Sequence, residues 1–231
     1  MNELFLSSMY AGTVLSLAAY MVGVWLKKQF RSPLLNPLLV AILITIAVLL
    51  AGRVNYEVYD ASAKTLSWFL TPATVCLAIP LYENFRLLLK HLQAVLLGIV
   101  SGVFTSLVSV LALSAVMHLS HQEYVTMLPK SITTAIGMGV SQELGGHVTI
   151  TVATIVITGV LGNMLAEPLF RLFRITEPIA KGVALGPAAH AIGTSRALEM
   201  GETEGAMSGL AIAVAGVLTA LLCPVFAAFL A

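Results

Sequence analysis

The residues best suited to chemistry lie in two polar segments of an otherwise apolar chain. The first reads AIGMGVSQELG (Ala135–Gly145) and the second reads AIGTSRALEMG (Ala191–Gly201). Both run from Ala-Ile-Gly through five variable residues to a glutamate, which is Glu143 in the first segment and Glu199 in the second. Ionisable groups at membrane depth are costly and tend to be functional. The two glutamates could therefore couple transport to protons, or they could lie in headgroup water, where a charge costs little.

Hydroxyl groups precede the first glutamate, in the run KSITTAIGMG (Lys130–Gly139). Ser131, Thr133 and Thr134 could bond a ligand, and Gly137 allows unwinding and close approach. A half-helix that begins here would point free N–H groups and the positive end of its dipole at an anion. Ser and Thr in membranes often bond their own helix backbone instead, so both roles stay open.

The run GPAAHAIGTSRALE (Gly186–Glu199) contains a histidine and an arginine, which could exchange protons and bind an anion. His190 could exchange protons near neutral pH, or it could be an ordinary packed histidine. Arg196 could bind a carboxylate substrate with two hydrogen bonds, or it could pair with Glu199 or reach the membrane interface. The candidate substrate-binding residues of the whole chain are Ser131, Thr133, Thr134, Gly137, Asn163, His190, Gly193, Thr194, Ser195 and Arg196, and the candidates for proton coupling are Glu143 and Glu199.

The composition places these segments in a membrane protein. Of the 231 residues, 58% are hydrophobic and 10% are charged, and the mean hydropathy is +0.96. Soluble domains carry about 25% charged residues, so we expect an all-α integral membrane protein. A net charge of +1 gives no reason to expect nucleic acid as a partner. Cys76 and Cys223 lie far apart in apolar runs and are expected to be free thiols.

Six apolar segments are long enough to cross a bilayer core of about 30 Å. If the N-terminus is periplasmic, the cytoplasmic loops hold all lysines and arginines except Arg53, Lys64 and Lys130. Because cytoplasmic loops carry an excess of positive charge, this distribution predicts that orientation. The predicted spans are Leu4–Leu26, Leu34–Gly52, Leu66–Leu81, Leu92–His118, Val148–Phe170 and Ala206–Leu230.

Two remaining segments, Ser120–His147 and Ile175–Gly205, are too long for turns and too broken for ordinary spans. Irregular backbone at membrane depth is tolerated only where protein buries it or where it lines a water-filled cavity. We therefore interpret both segments as re-entrant hairpins or interrupted helices, with a pair of interfacial helices as the alternative.

An internal repeat supports the re-entrant interpretation. Each polar phrase is followed by Gly-Val-Leu and then by Pro-x-Phe, which ends at Phe170 in the first copy and at Phe226 in the second. One span separates the two starts, so the second copy enters from the other side, as in transporters with inverted repeats. We expect a single membrane domain over residues 1–231, with four spans in 1–119 and repeat units at 128–170 and 179–230.

The sequence lacks enzyme signatures. It contains no HExxH, GxSxG, Walker or GxGxxG motif and no cysteine or histidine spacing typical of a metal site. A nucleophile pair of Ser195 and His190 would have no third residue to orient it. We expect no enzyme activity, no cofactor and no metal.

Three runs resemble the LrgB/CidB family of bacterial membrane proteins. They are PKSITTAIGMGVSQELGG (Pro129–Gly146), GVLGN (Gly159–Asn163) and KGVALGPAAHAIGTSRALEMGETEGAMSGLA (Lys181–Ala211). The resemblance implies a multi-pass inner-membrane protein that acts with a small LrgA/CidA-type membrane partner. It implies one of two functions: a holin/antiholin-like system that modulates murein hydrolase export and lysis, or, by similarity to plant plastid proteins, a glycolate and glycerate carrier. Some bacterial relatives are associated with pyruvate.

The distribution of polar residues favours the carrier. A pore needs a polar stripe on its spanning helices, whereas these spans read as nearly all apolar and the polar groups gather in two broken segments. Such paired broken segments hold the substrate in carriers with inverted repeats. We expect a carrier of small monocarboxylates that works as a homodimer or larger oligomer in the lipid bilayer.

Overall fold

The computed structural model describes residues 8, 10–30, 37–69, 72, 75, 76 and 78–230. The chain forms two compact units, Met1–Cys76 and Leu77–Ala231. Every regular element within the described ranges is helical, which confirms the expected all-α fold. The helix Leu92–Val116 belongs to the second unit.

In the first unit, the described residues form α1 (Ala11–Phe30), α2 (Pro37–Ala51) and α3 (Tyr56–Trp68). α1 and α2 overlap the first two predicted spans. α1 also packs closely on α3, where Gly12 N donates a hydrogen bond to Ser62 Oγ at 3.0 Å. The absence of a side chain at Gly12 permits this approach, because an added Cβ would lie 2.6 Å from the same oxygen.

The third predicted span, Leu66–Leu81, is not a single helix. α3 ends at Trp68 and a separate helix begins at Ala78. Pro72 lacks an amide hydrogen and disfavours helical backbone at the residue before it, so a continuous helix is unfavourable here. Residues 70, 71, 73, 74 and 77 of this predicted span lie outside the described residues.

The second unit holds three helices that are both long and apolar enough to cross a membrane. Its helices are α4 (Ala78–Glu83), α5 (Phe85–Lys90), α6 (Leu92–Val116), α7 (His121–Met127), α8 (Thr134–Glu143), α9 (Val148–Leu172), α10 (Pro178–Met200) and α11 (Glu202–Ala227), which ends in a 3-10 turn at Ala228–Leu230. Among the described residues, α6, α9 and α11 with its 3-10 turn are long and apolar enough to span. They agree with the last three predicted spans to within a few residues.

The core of the second unit lies between α6, α7 and α11. α6 contributes Val95, Ile99, Val103 and Leu107, which recur every four residues and therefore lie on one helix face. They belong to one buried cluster with Tyr124 of α7, whose hydroxyl also donates to the Phe226 carbonyl of α11 at 2.8 Å. This packing fixes α6 and α11 as a frame for the two broken segments.

α7 and α8 form a re-entrant hairpin, here called hairpin 1 (residues 121–146). Its two ends are adjacent, because Gln122 Nε2 donates to the Gly145 carbonyl at 3.2 Å. Its tip (residues 128–133) reaches about halfway along α6, where Ser106 Oγ donates to Ser131 Oγ at 2.8 Å. Hairpin 1 therefore enters from the end of α6 at Val116 and turns back near the middle of that helix.

α10 forms the second hairpin, here called hairpin 2 (residues 178–200), which reverses at His190. The backbone of His190 is non-helical, with φ 40° and ψ −133°. A Cβ on Gly193 would lie 2.7 Å from the Leu185 carbonyl oxygen, eight residues earlier, whereas eight residues of straight helix span about 12 Å. The chain therefore doubles back into a first arm (residues 178–189) and a second arm (residues 191–200).

The two hairpins enter from opposite ends of the long helices. Val183 and Pro187 of the first arm lie beside Gly98 and Gly102 of α6, so this arm advances from the Leu92 end. The second arm returns along α9, as shown by its contacts Ile192 to Asn163 and Arg196 to Glu167. Hairpin 1 enters from the other end of α6, which confirms the predicted pair of re-entrant segments with inverted topology.

Glycines let hairpin 2 pack directly on α11, and this close packing is testable. A Cβ on Gly182 would overlap the Glu204 carbonyl oxygen and lie 2.8 Å from Met207 Cβ, and the carbonyl belongs to a helix backbone that cannot easily move. We expect Gly182→Ala to lower the free energy of unfolding by about 1–3 kcal/mol. Thermal unfolding of the purified protein in detergent measures this loss.

The matched control is Gly139→Ala, because no atom lies within 4 Å of a Cβ added at this helical position. Alanine there is expected to be neutral or slightly stabilising, since glycine weakens a helix interior. Equal unfolding temperatures for the two variants would contradict the packing described for hairpin 2.

Candidate functional site

A cavity of about 470 Å³ lies where α6 meets the tip of hairpin 1 and the first arm of hairpin 2. Hairpin 2 contributes Pro187 and Ala188, close to its reversal at His190. Both hairpin tips thus meet at one place, which is near the middle of α6. The polar lining of this cavity consists of Ser101, Thr105, Ser106, Ser109, Lys130 and Ser131.

One face of α6 supplies most of the polar lining. Ser101, Thr105 and Ser109 are spaced four residues apart, and Gly98 and Gly102 lie on the same face. This stripe departs from the prediction that the spans are nearly all apolar. The signal was present in LGIVSGVFTSLVSV, where small and hydroxyl residues recur with the three- and four-residue spacing of one helix face.

Lys130 is the charged residue of the cavity, and it too was missed as a site residue. Its Nζ donates to Ser131 Oγ at 3.1 Å and to Ser106 Oγ at 3.4 Å. Within the part of the chain that the structure describes, no carboxylate pairs with it. From the sequence, Lys130 is predicted only to lie outside the cytoplasmic loops, whereas the tip of hairpin 1 places it near the middle of α6.

Of the residues predicted in the first segment, Ser131 lines the cavity and is only 8% exposed. Thr133 and Thr134 are half-buried at the start of α8, and the Thr133 side chain makes no capping hydrogen bond. Gly137 is buried against Ile155 of α9. The sequence thus identified one member of the cavity wall, while the other three lie beside it in the hairpin.

The predicted residues around the hairpin 2 reversal make contacts that hold its second arm. Thr194 Oγ1 and Ser208 Oγ of α11 are 2.7 Å apart in a buried hydrogen bond. Asn163 Nδ2 donates to the Ile192 carbonyl at 3.1 Å, and Gly193 fits against the Leu185 carbonyl. Ser195 is exposed and donates to the Ala191 carbonyl of its own helix at 3.3 Å. None of the four predicted residues Asn163, Gly193, Thr194 and Ser195 belongs to the cavity wall.

Arg196 forms ion pairs and lies away from the cavity wall. Its guanidinium contacts Glu167 Oε1 at 2.7 Å and also bonds the Glu199 carboxylate. This geometry matches the ion-pair alternative that the sequence left open. The matched glutamates consequently differ, because Glu199 is held by Arg196 while Glu143 is exposed at the end of α8.

His190 is buried at the reversal of hairpin 2, with 3% of its surface exposed. Its ring is hydrogen-bonded to the Ile155 backbone, while Nε2 has no hydrogen-bond partner among the described residues. Lys130 is near enough to interact with it electrostatically. Buried polar atoms are rarely left without a hydrogen bond, so this nitrogen is available to form one with a water molecule or a ligand atom.

An apolar groove of about 370 Å³ extends from the cavity toward the Leu92 end of α6. The groove and the cavity share Gly98, Val183 and Ala184, and the groove also includes His91 and Glu177. Gly98 leaves room for the Val183 side chain, because a Cβ there would lie 2.8 Å from Val183 Cγ1. The shared residues therefore form a narrow junction between the Leu92 end and the polar cavity.

The ion pairs of Arg196 make a stability prediction. Arg196→Gln removes a guanidinium that is 18% exposed from two carboxylates, and we expect unfolding to require about 1 kcal/mol less free energy, since both carboxylates are partly solvated. Arg171→Gln is the control, because that side chain is 83% exposed and 3.8 Å from Glu167. Thermal unfolding without any ligand measures both, and a larger loss for Arg171→Gln would contradict the assignment.

Comparisons with known proteins agree with the resemblance seen in the sequence. The model of the LrgB-like family matches residues 16–229. Proteins named "Antiholin-like protein LrgB" from Bacillus mycoides and Bacillus cereus are 38% identical to the chain over 222 residues, which is 96% of this chain and 96% of each relative. No solved structure matches the chain significantly. On the extent of the family match and the identity to these relatives, the chain belongs to the LrgB-like family of membrane proteins.

Proposed function

We propose that this chain is a carrier for small organic anions of the glycolate, glycerate and pyruvate class across a bacterial inner membrane. One observation carries the proposal: two hairpins that enter from opposite ends of the long helices meet at one hydroxyl-lined cavity near the middle of α6. Carriers built from inverted repeats hold their substrate where such broken segments meet. Rocking of the hairpins about this point would expose the cavity to each side in turn.

The size and lining of the cavity support a small polar substrate. Its volume of about 470 Å³ is within the usual range for small-molecule sites. Ser131 can donate to a carboxylate, and hydroxyl oxygens of α6 can accept from a hydroxyl group of the substrate. The apolar groove through Gly98 and Val183 connects this cavity with the Leu92 end.

The orientation and the partners belong to the same proposal. Apart from Lys130, the lysines and arginines of the second unit gather at the Leu92 end, and the positive-inside rule favours a cytoplasmic location for that end. The periplasmic N-terminus predicted from the sequence is part of the same proposal. A small LrgA/CidA-type membrane protein and a second copy of this chain are the proposed partners. For proton coupling, His190 at the reversal of hairpin 2 is a better candidate than either glutamate, because Glu199 is bound by Arg196 and Glu143 is exposed at the base of hairpin 1.

Uptake into proteoliposomes tests the carrier. We expect saturable uptake of labelled glycolate, glycerate or pyruvate, with competition among them, when the chain is reconstituted with and without the small partner. Leakage of unrelated solutes such as sucrose at a similar rate would instead favour a pore.

A bulky side chain in the wall of the cavity provides a sharper version of this test. Ala188→Trp fills the cavity wall beside Pro187, and we expect it to abolish uptake without lowering the unfolding temperature, because Ala188 is exposed to the cavity space. Ala213→Trp on the exposed face of α11 is the matched control, and its uptake should equal that of the wild type. Unchanged uptake in Ala188→Trp would show that the substrate does not use this cavity.

The name of the relatives, antiholin-like protein, favours a second candidate function, an antiholin-like role. By the family resemblance, such a role would modulate murein hydrolase export and lysis. A bacterial strain that lacks its own LrgB-like chain can be complemented with wild type or Ala188→Trp and scored for both uptake and lysis. If lysis control follows from transport, the variant should lose both. Retention of lysis control by a transport-dead Ala188→Trp would assign the chain an antiholin function that is independent of the cavity.

A further inference from the structure

We infer that Lys130, with Ser106 and Ser131, is the anion-binding group of the cavity, and that its single positive charge selects a monoanion. This inference rests on the proposed function for the chemical class of the ligand, and it adds the residues that bind the carboxylate of that ligand. It replaces Arg196 as the cation that meets the substrate.

Lys130 is the cation of the cavity that is available to an anion. Arg196 is neutralised by Glu167 and Glu199 and does not line the cavity. Lys130 has no carboxylate partner within the described ranges, and it is half-buried at the tip of a hairpin. A charge held away from bulk water without a counter-charge is unfavourable, which is why such groups usually meet an ionic ligand.

The hydrogen bonds around Lys130 leave two donors free to bind a carboxylate. The ammonium has three N–H donors, of which two are directed to Ser131 Oγ and Ser106 Oγ. The hydroxyl of Ser106 donates its own hydrogen to Ser131 Oγ. Ser131 therefore accepts two hydrogen bonds and keeps its hydroxyl hydrogen, so one N–H of Lys130 and the O–H of Ser131 remain for the two oxygens of one carboxylate.

Two other hydroxyls of the cavity wall donate to their own helix. Ser101 Oγ donates to the Gly98 carbonyl at 2.9 Å, and Ser109 Oγ donates to the Ser106 carbonyl at 2.8 Å. Their hydroxyl hydrogens are used, but their oxygens can still accept a hydrogen bond from a ligand hydroxyl. Thr105, on the same face, can donate to a keto oxygen, so both 2-hydroxy and 2-oxo acids fit this wall.

The single ammonium also limits the charge of the ligand. Lys130 is the one cationic side chain in the described wall of the cavity, and the other polar residues of that wall are neutral hydroxyls. A second carboxylate on the ligand would lie there without a counter-charge, at a cost that a low-dielectric site makes large. We therefore expect the monocarboxylates glycolate, acetate and pyruvate to bind more tightly than the dicarboxylate malonate.

Equilibrium binding of radiolabelled glycolate to the purified full-length chain in detergent tests the inference directly. Lys130→Gln is expected to weaken binding at least tenfold, Lys130→Arg to retain part of it, and Ser131→Ala to weaken it severalfold. The matched controls are Lys90→Gln, on the exposed end of α5, and Ser195→Ala, whose hydroxyl bonds its own helix. Competition with acetate, pyruvate and malonate then ranks the ligands.

A stability measurement separates a binding role from a structural one. Removal of an uncompensated charge should leave the ligand-free unfolding temperature of Lys130→Gln equal to or above that of the wild type, whereas loss of a structural contact would lower it. Glycolate should raise the unfolding temperature of the wild type and fail to raise that of Lys130→Gln.

The outcomes distinguish this inference from the proposed function. If wild type binds glycolate through Lys130 but shows no uptake in proteoliposomes, the anion site stands and the carrier fails. If uptake occurs and Lys130→Gln is as active as wild type, the carrier stands and Lys130 is not its anion site. If wild type shows no glycolate binding in detergent, or binds malonate as well as glycolate, the inference is overturned.

Discussion

The second unit depends on one constraint: a helix that is interrupted away from water must have its freed backbone groups and its reversals covered by other protein. Both hairpins meet this constraint by packing their turns against the long helices. Gly159 and Gly162 of α9 allow His190 and Ala189 to approach closely, and Gly98 and Gly102 of α6 do the same for the first arm. At the base of hairpin 1, Thr151 Oγ1 donates to the Thr126 carbonyl at 2.9 Å and is fully buried.

Covering both tips with the same helices also brings them together. Hairpin 1 advances from the Val116 end of α6 and the first arm of hairpin 2 advances from the Leu92 end, so their turns meet near Ser106. A cavity forms because two helical turns cannot fill the volume that a continuous pair of helices would occupy. The hydroxyl face of α6 lines this volume, and two of its hydroxyls, Ser101 and Ser109, bond their own helix.

The two cations of the hairpins show how pairing separates a structural charge from a functional one. Arg196 and Lys130 both lie in polar, glycine-rich segments, and by residue type the arginine is the better carboxylate binder. Arg196 nevertheless has its charge compensated by Glu167 and Glu199, so it stabilises the second arm against α9. Lys130 is surrounded by neutral hydroxyls, and its charge remains available to an anion.

Much of this architecture could be predicted from the order of residues. The apolar runs that became α6, α9 and α11 have the composition and length of spanning helices, and Gly-Pro at 186–187 with the repeated Ala-Ile-Gly phrase predicted broken segments. The opposite entry of the hairpins followed from the single span between the repeats. The prediction of a continuous third span was wrong because hydropathy alone does not account for the effect of Pro72 on helix continuity.

The sequence by itself determined the membrane class, the three long helices and the two inverted hairpins, because those depend on local composition, length and periodicity. Only the tertiary structure decided which polar residues share a cavity and which charge is neutralised. Arg196 of hairpin 2 forms an ion pair with Glu167 of α9, and Lys130 of hairpin 1 donates a hydrogen bond to Ser106 of α6. Such pairings depend on distances between residues that are far apart in the chain, so neither their existence nor the depth of Lys130 can be read from spacing.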